Sequence, residues 1–126
     1  MKNIIIALSI FAAVVLMSFF SIQYLNRTCN KLLNVSNKIQ NSLQNGSYSK
    51  ADHYEKEFEK EWYKESSILS AFIHHMETDD ISLEVERLSQ SIKYKEKKDA
   101  MESAHSLTFL IKHLSLLEKI NIENIL

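Results

Sequence analysis

The side chains best suited to chemistry cluster in one stretch, His74-His75-Met76-Glu77-Thr78-Asp79-Asp80. His75 and Asp79 are four residues apart, so on a continuous helix they share a face, and His113 could join them from a later helix. Imidazole and carboxylate at that spacing can hold a first-row metal ion. The candidate ligands are therefore His75, Glu77, Asp79 and His113. The stretch lacks the His pair at i,i+4 that a zinc protease motif carries, and the acids can equally cap the start of a helix. His105 and His113, eight apart, fall roughly on one helix face with no nucleophile to activate. Cys29 has no catalytic context and sits on an apolar stripe, where a thiol behaves as a small hydrophobe. No catalytic or cofactor-binding residue is expected, because no constellation combines nucleophile, base and oxyanion donors.

Composition restricts the elements that could carry such groups. Of 126 residues, 15 are Lys or Arg and 16 Asp or Glu, with one Gly, no Pro and one Cys. Near-neutral charge removes the electrostatic drive toward nucleic acid. A single cysteine cannot make an internal disulfide or a Cys-based zinc site. One glycine and no proline leave little material for tight hairpins or phosphate-cradling loops. The expected fold class is all-α, an N-terminal transmembrane helix continuing into a small antiparallel bundle of about four helices.

The transmembrane segment is read from Ile4 to Ile22, 19 residues without a charge and polar only at Ser9, Ser18 and Ser21. As a helix it spans roughly 28 Å, near the thickness of a bilayer core. The run is longer than a signal-peptide core, and no small-residue cleavage site follows it. Asn26-Arg27-Thr28 before Cys29 does not suit a lipoprotein signal. An uncleaved anchor over residues 1–24 is expected, with the domain at 25–126. Lys2 on one side against Arg27 and Lys31 on the other is nearly balanced. The short charged N-terminus favours an extracytoplasmic domain.

Past the anchor, Leu25, Cys29, Leu32, Ser36, Ile39 and Leu43 alternate four and three apart, the pattern of one packed seam. Asn26, Asn30, Asn34, Asn37, Asn41 and Asn45 form a solvated stripe beside it. The spacing predicts helices over about 25–45, 49–77, 80–95 and 99–115, and an apolar tail, 116–126, that packs back on the bundle. Gly46 ends the first. Ser49 to Asp52 would cap the second, Thr78-Asp79-Asp80 would start the third, and Asp99 would cap the fourth. Helix two places Ala51, Tyr54, Phe58, Trp62, Leu69, Phe72 and Met76 on one face, with Asp52/Lys56, Glu57/Lys60 and Glu61/Lys64 pairs outside. Trp62, Phe58, Phe72, Leu88, Leu107 and Ile111 are the expected core. Lys93 to Lys98 forms a cationic run suited to a helix C-terminus, and also to anionic lipid or an acidic partner.

Trp62 … Phe72-Ile73-x-His75-x-Glu77-x-Asp79-x-Ile81, then Leu110-Ile111-Lys112-His113 and a terminal Asn124-Ile125-Leu126, resemble a family of small single-span bacterial membrane proteins classed as a domain of unknown function. The likeness spans essentially the whole chain. It departs at His74, where the family often has Asp, and at Thr78, where an aliphatic residue is usual. The family has no assigned reaction. Its genes often lie beside that of a multi-span membrane protein, which implies an accessory or assembly role.

The sequence thus leads to a membrane-anchored protein-interaction or accessory subunit without catalytic activity or cofactor, in the bacterial cytoplasmic membrane. Its expected partners are the lipid bilayer and another membrane protein, with a homodimer through helix one as a further option and no nucleic acid. The alternative is a metal- or small-ligand-responsive module built on the His75 cluster.

Overall fold

A computed structural model describes residues 1–71 and 73–125, the side chains at 118, 121, 122 and 125 excepted. Four helices follow in order: α1 Lys2–Gln44, α2 Tyr48–Leu69, α3 His75–Lys93 and α4 Lys97–Ile125. Three short connections force each helix to run antiparallel to the one before. α1 packs on α2 and α4, α3 packs on the same two, and among the described residues the diagonal pairs do not meet. This is the up-down-up-down bundle that short loops favour.

Each helix feeds the core from one stripe whose members lie three, four or seven residues apart. α1 contributes Leu25, Cys29, Leu32, Ser36, Ile39 and Leu43. α2 contributes Ala51, Phe58, Trp62 and Leu69; α3 adds Ile81, Val85, Leu88 and Ile92; α4 adds Ala100, Ala104, Leu107, Ile111 and Leu114. The expected core residues Phe58, Trp62, Leu88, Leu107 and Ile111 are buried. Phe72 lies outside the described residues. α2 and α4 cover the α1 seam within one chain.

α1 is one unbroken helix of 43 residues, roughly 65 Å long. Its first half is exposed and apolar enough to cross a membrane. The hydroxyls of Ser9 and Ser18 donate to the carbonyls of Ile5 and Val14 at 2.8 and 2.9 Å, so both are satisfied within the helix.

The helix boundaries differ from the sequence reading for local reasons. α2 stops at Leu69, not 77, because the chain turns at residues 70 and 71, where the Ala71 N–H donates to the Ile68 carbonyl at 3.2 Å. Met76 therefore starts α3 as an exposed residue and is not part of the α2 core face. α3 begins at His75, not 80. His74 is extended and its Nδ1 accepts from the Met76 amide at 3.3 Å, so a histidine caps the helix where Thr78-Asp79-Asp80 was expected to. α2 starts at Tyr48 with Ser47 before it, which places Ser49 inside the helix and forms no capping box. Asp99 lies in the first turn of α4, not before it. Residues 116–125 do not fold back as a tail; they continue α4 to Ile125.

The two turns at the far end of the bundle close alike. Gly46 (φ 71°) and Lys95 (φ 57°) are left-handed. Ser47 N–H donates to Ser42 carbonyl, and Glu96 N–H to Ser91 carbonyl, each at 2.9 Å. Both are Schellman closures, one built on glycine and the other on lysine. The Tyr48 hydroxyl donates to the Lys95 carbonyl at 3.3 Å and ties the turns together.

Candidate functional site

α3 carries the polar cluster on its first two turns. His75 Nε2 and Asp79 Oδ2 lie 3.1 Å apart on the exposed face, as the four-residue spacing required. The other two candidates do not join them. Glu77 is half-buried in the intervening turn. His113 is exposed on α4 and stacked on Phe109, with ring centroids 5.9 Å apart and planes 7° from parallel. Among the described residues no three His, Cys, Asp or Glu side chains converge as a metal would need. The set His75, Glu77, Asp79 and His113 is thus reduced to one exposed pair.

None of the five histidines hydrogen-bonds a hydroxyl or thiol among the described residues. His74 caps α3, His75 pairs with Asp79, and His53 packs edge-on against Tyr54. Cys29 is buried on the α1 seam, and burial pushes its thiol up to about 11. That thiol is not a nucleophile at neutral pH.

Two functional-looking groups escaped the sequence reading. Glu55 and Glu65 lie on the core face of α2, in the steps 51, 55, 58, 62, 65, 69. Glu55 is 1% exposed, and its Oε1 has no hydrogen-bond partner among the described residues. Burial is the main cause that pushes its carboxyl from 4.5 up to about 7. Glu59, Asp52 and Glu86 add to the rise and Lys56 opposes it. Glu65 Oε2 is likewise buried and unpartnered among the described residues, while Oε1 is 4.0 Å from Lys64 Nζ. The four-three arithmetic that found Phe58 and Trp62 also marks both acids; their charge argued for the outside.

The surface pairs are partly rearranged. Lys56 Nζ meets Asp52 Oδ2 at 2.7 Å, as the spacing predicted. Glu61 instead reaches across to Lys31 of α1 at 2.9 Å, because it sits at the α1–α2 edge. The stripe of asparagines on α1 is exposed, and Asn26 Oδ1 accepts from the Ser115 hydroxyl of α4 at 2.8 Å.

Between α3 and α4 runs an open groove of about 510 Å³, lined by Glu84, Arg87, Asp99, Glu102 and Ser106 among others. It continues past exposed Leu83 and Phe109, with Leu110 and His105 beside them. Arg87 is held by Glu84 at 2.7 Å. Such a wall offers mixed polar and apolar contacts but no enclosed chamber for a reaction.

The cationic run caps the opposite end. Lys93, Lys95, Lys97 and Lys98 are exposed beside the α1–α2 turn. That end lies 22 residues along α1 from Ile22, roughly 33 Å away. Several Debye lengths separate it from the end of the apolar run.

No curated protein and no solved structure matches the chain. A family profile does match, from the last residues of the apolar run through all four helices. On residues 19–125 the chain belongs to the DUF4363 family, a domain of unknown function.

Proposed function

We propose that this protein is a non-catalytic accessory subunit of the bacterial cytoplasmic membrane. α1 is its single span, its bundle lies outside the cytoplasm, and its partner is another membrane protein. The observation that carries this reading is the continuity of α1. One helix presents an uncharged, largely exposed surface from Ile4 to Ile22 and a wall of the bundle over its second half. A rigid rod of that kind holds the domain at a set height and orientation above the bilayer.

The interaction role is supported by how polar side chains are used. Histidines, acids and lysines serve caps, exposed pairs and helix-to-helix ties. The α3–α4 face leaves Leu83 and Phe109 exposed among polar neighbours, a composition suited to a protein contact.

Cysteine labelling tests the topology. Cys29 is buried, so the reporter belongs at exposed Ser49 on the far turn. In intact cells, Ser49→Cys should react with a membrane-impermeant maleimide; reaction only after lysis places the bundle in the cytoplasm and overturns the orientation. A stoichiometric membrane-protein partner should co-purify from solubilised membranes and be lost on substitution of Leu83 and Phe109 by Asp. Purification of the chain alone under mild conditions counts against the accessory role.

A further inference from the structure

The bundle is not level at the end near the apolar run. From the Lys31–Glu61 pair, seven residues further along each helix set Ile68 level with Tyr24, and α2 ends one residue later. α4 goes on. From the Asn26–Ser115 pair, five residues set Ile120 level with Ser21, inside the uncharged run. Ten residues set Ile125, the last of α4, level with Leu16. α4 therefore extends past Ile22 by about six residues, roughly 9 Å. Along the run, Val15, Ser18, Ser21 and Ile22 are half-buried while the remaining residues are exposed, which continues the core seam down beside α4.

This segment has an unpartnered apolar edge. Leu116 and Ile120, one turn apart on α4, are 58% and 45% exposed. Ile68, 50% exposed on α2, borders Met17, Phe20, Ser21 and Tyr24 of α1. Phe109, six residues before Ser115, is level with Leu32 and stands well clear of the run. The same stretch of α4 carries Glu118, Lys119 and Glu123, with Lys119 and Glu123 exposed. Three charges in so short a segment exclude a second span. They suit a helix end at the headgroup layer, where a long side chain such as lysine keeps its charge in water above a buried stem.

We propose that the C-terminal turns of α4, Leu116 to Ile125, are a second lipid contact: an interfacial segment laid along α1 that sinks its Leu116–Ile120 edge into the acyl–headgroup boundary without crossing the bilayer. This rests on the reading of α1 as a membrane span, because only that span brings lipid to the level of Ile120. The roughly 9 Å overlap matches the depth to which amphipathic interfacial helices sink, about 5–10 Å. The contact fixes the rotation and tilt of the bundle, since a single span alone leaves both free.

The test uses the full chain reconstituted in phosphatidylcholine vesicles, with an environment-sensitive fluorophore on single cysteines at Ile120, Phe11 and Ser49. The parent chain, whose Cys29 is buried, gives the labelling background, and circular dichroism checks that each variant is folded. Lipids with a nitroxide near the top of the acyl chain should strongly quench the Ile120→Cys probe and leave Ser49→Cys unchanged. Nitroxides deep in the chain should quench Phe11→Cys more than Ile120→Cys. An Ile120→Cys probe that stays unquenched while Phe11→Cys is quenched overturns the interfacial contact and leaves the anchor standing, as it would if that edge faced another protein. Absence of quenching at Phe11→Cys overturns the anchor, and the proposal with it.

Discussion

The hydroxyl of Ser36 on α1 lies 2.7 Å from the hydroxyl of Thr108 on α4, inside an otherwise apolar seam. Gln40 Nε2 donates to the same Thr108 oxygen at 2.8 Å. This triad favours one register of α1 against α4, because a slip of one turn would separate Ser36 and Gln40 from Thr108 and leave the Thr108 hydroxyl only its bond to the Ala104 carbonyl of its own helix. Thr108→Val should cost about 1 kcal/mol, the usual net loss when a buried hydrogen bond is removed and weaker partners remain. Adding Ser36→Ala should cost less than the sum of the single changes. Chemical denaturation of the three variants measures the coupling, and strict additivity would show that the triad is not a unit.

Glu55 predicts an unusual pH dependence. Its folded carboxyl titrates near 7, while the unfolded chain has the ordinary value of 4.5. Below 4.5 both states are protonated and the residue carries no penalty. As pH rises toward 7, the unfolded state ionises first, so this residue lowers stability progressively and the loss levels off above 7. Its size is about 3 kcal/mol from the shift. Glu55→Gln should therefore stabilise the protein at pH 8 and flatten the slope between pH 4.5 and 7. An unchanged slope in melting experiments across that range would refute the assignment.

Trp62 is fully buried at the centre of the α2 face, and its indole N–H donates to the Ser82 hydroxyl at 2.9 Å. Trp62→Ala should cost about 3–5 kcal/mol through the cavity it opens. As the only tryptophan, Trp62 also reports its own burial. Native emission should be blue-shifted and move to the red on unfolding.

Lys95 occupies a left-handed conformation that its counterpart in the α1–α2 turn assigns to Gly46. Lys95→Gly should stabilise the fold by about 0.5–1 kcal/mol, since relief of the side-chain clash exceeds the added freedom of the unfolded chain. The Tyr48 bond goes to the backbone carbonyl at 95 and survives the change. A drop in melting temperature would mean that the lysine side chain itself has a structural partner.

The His75–Asp79 pair is exposed on both sides, and among the described residues no third ligand joins it. Neither His75→Ala nor Asp79→Ala should move the melting temperature measurably at neutral pH. Zinc or nickel at tens of micromolar should not raise it either. A metal-dependent rise abolished by His75→Ala would revive the metal-responsive reading.

What the sequence determined by itself is everything set by periodicity along one helix. The uncharged run, the α1 seam from Leu25 to Leu43, the Gly46 turn and the core roles of Phe58, Trp62, Leu88, Leu107 and Ile111 follow from spacing. Hydrophobic burial depends on which residues share a face, and a 3.6-residue repeat records that directly. The His75–Asp79 contact was legible for the same reason. Only the tertiary structure decided relations between helices. Lys31 draws Glu61 across an edge, His113 turns to Phe109, and Glu55 and Glu65 are buried because α1 and α3 close over the α2 face despite their charge. Where α2 stops at Leu69 while α4 continues to Ile125 beside the apolar run is likewise a matter of register between chains of helix. Such relations depend on loop closure and packing at distances along the chain that no local pattern encodes.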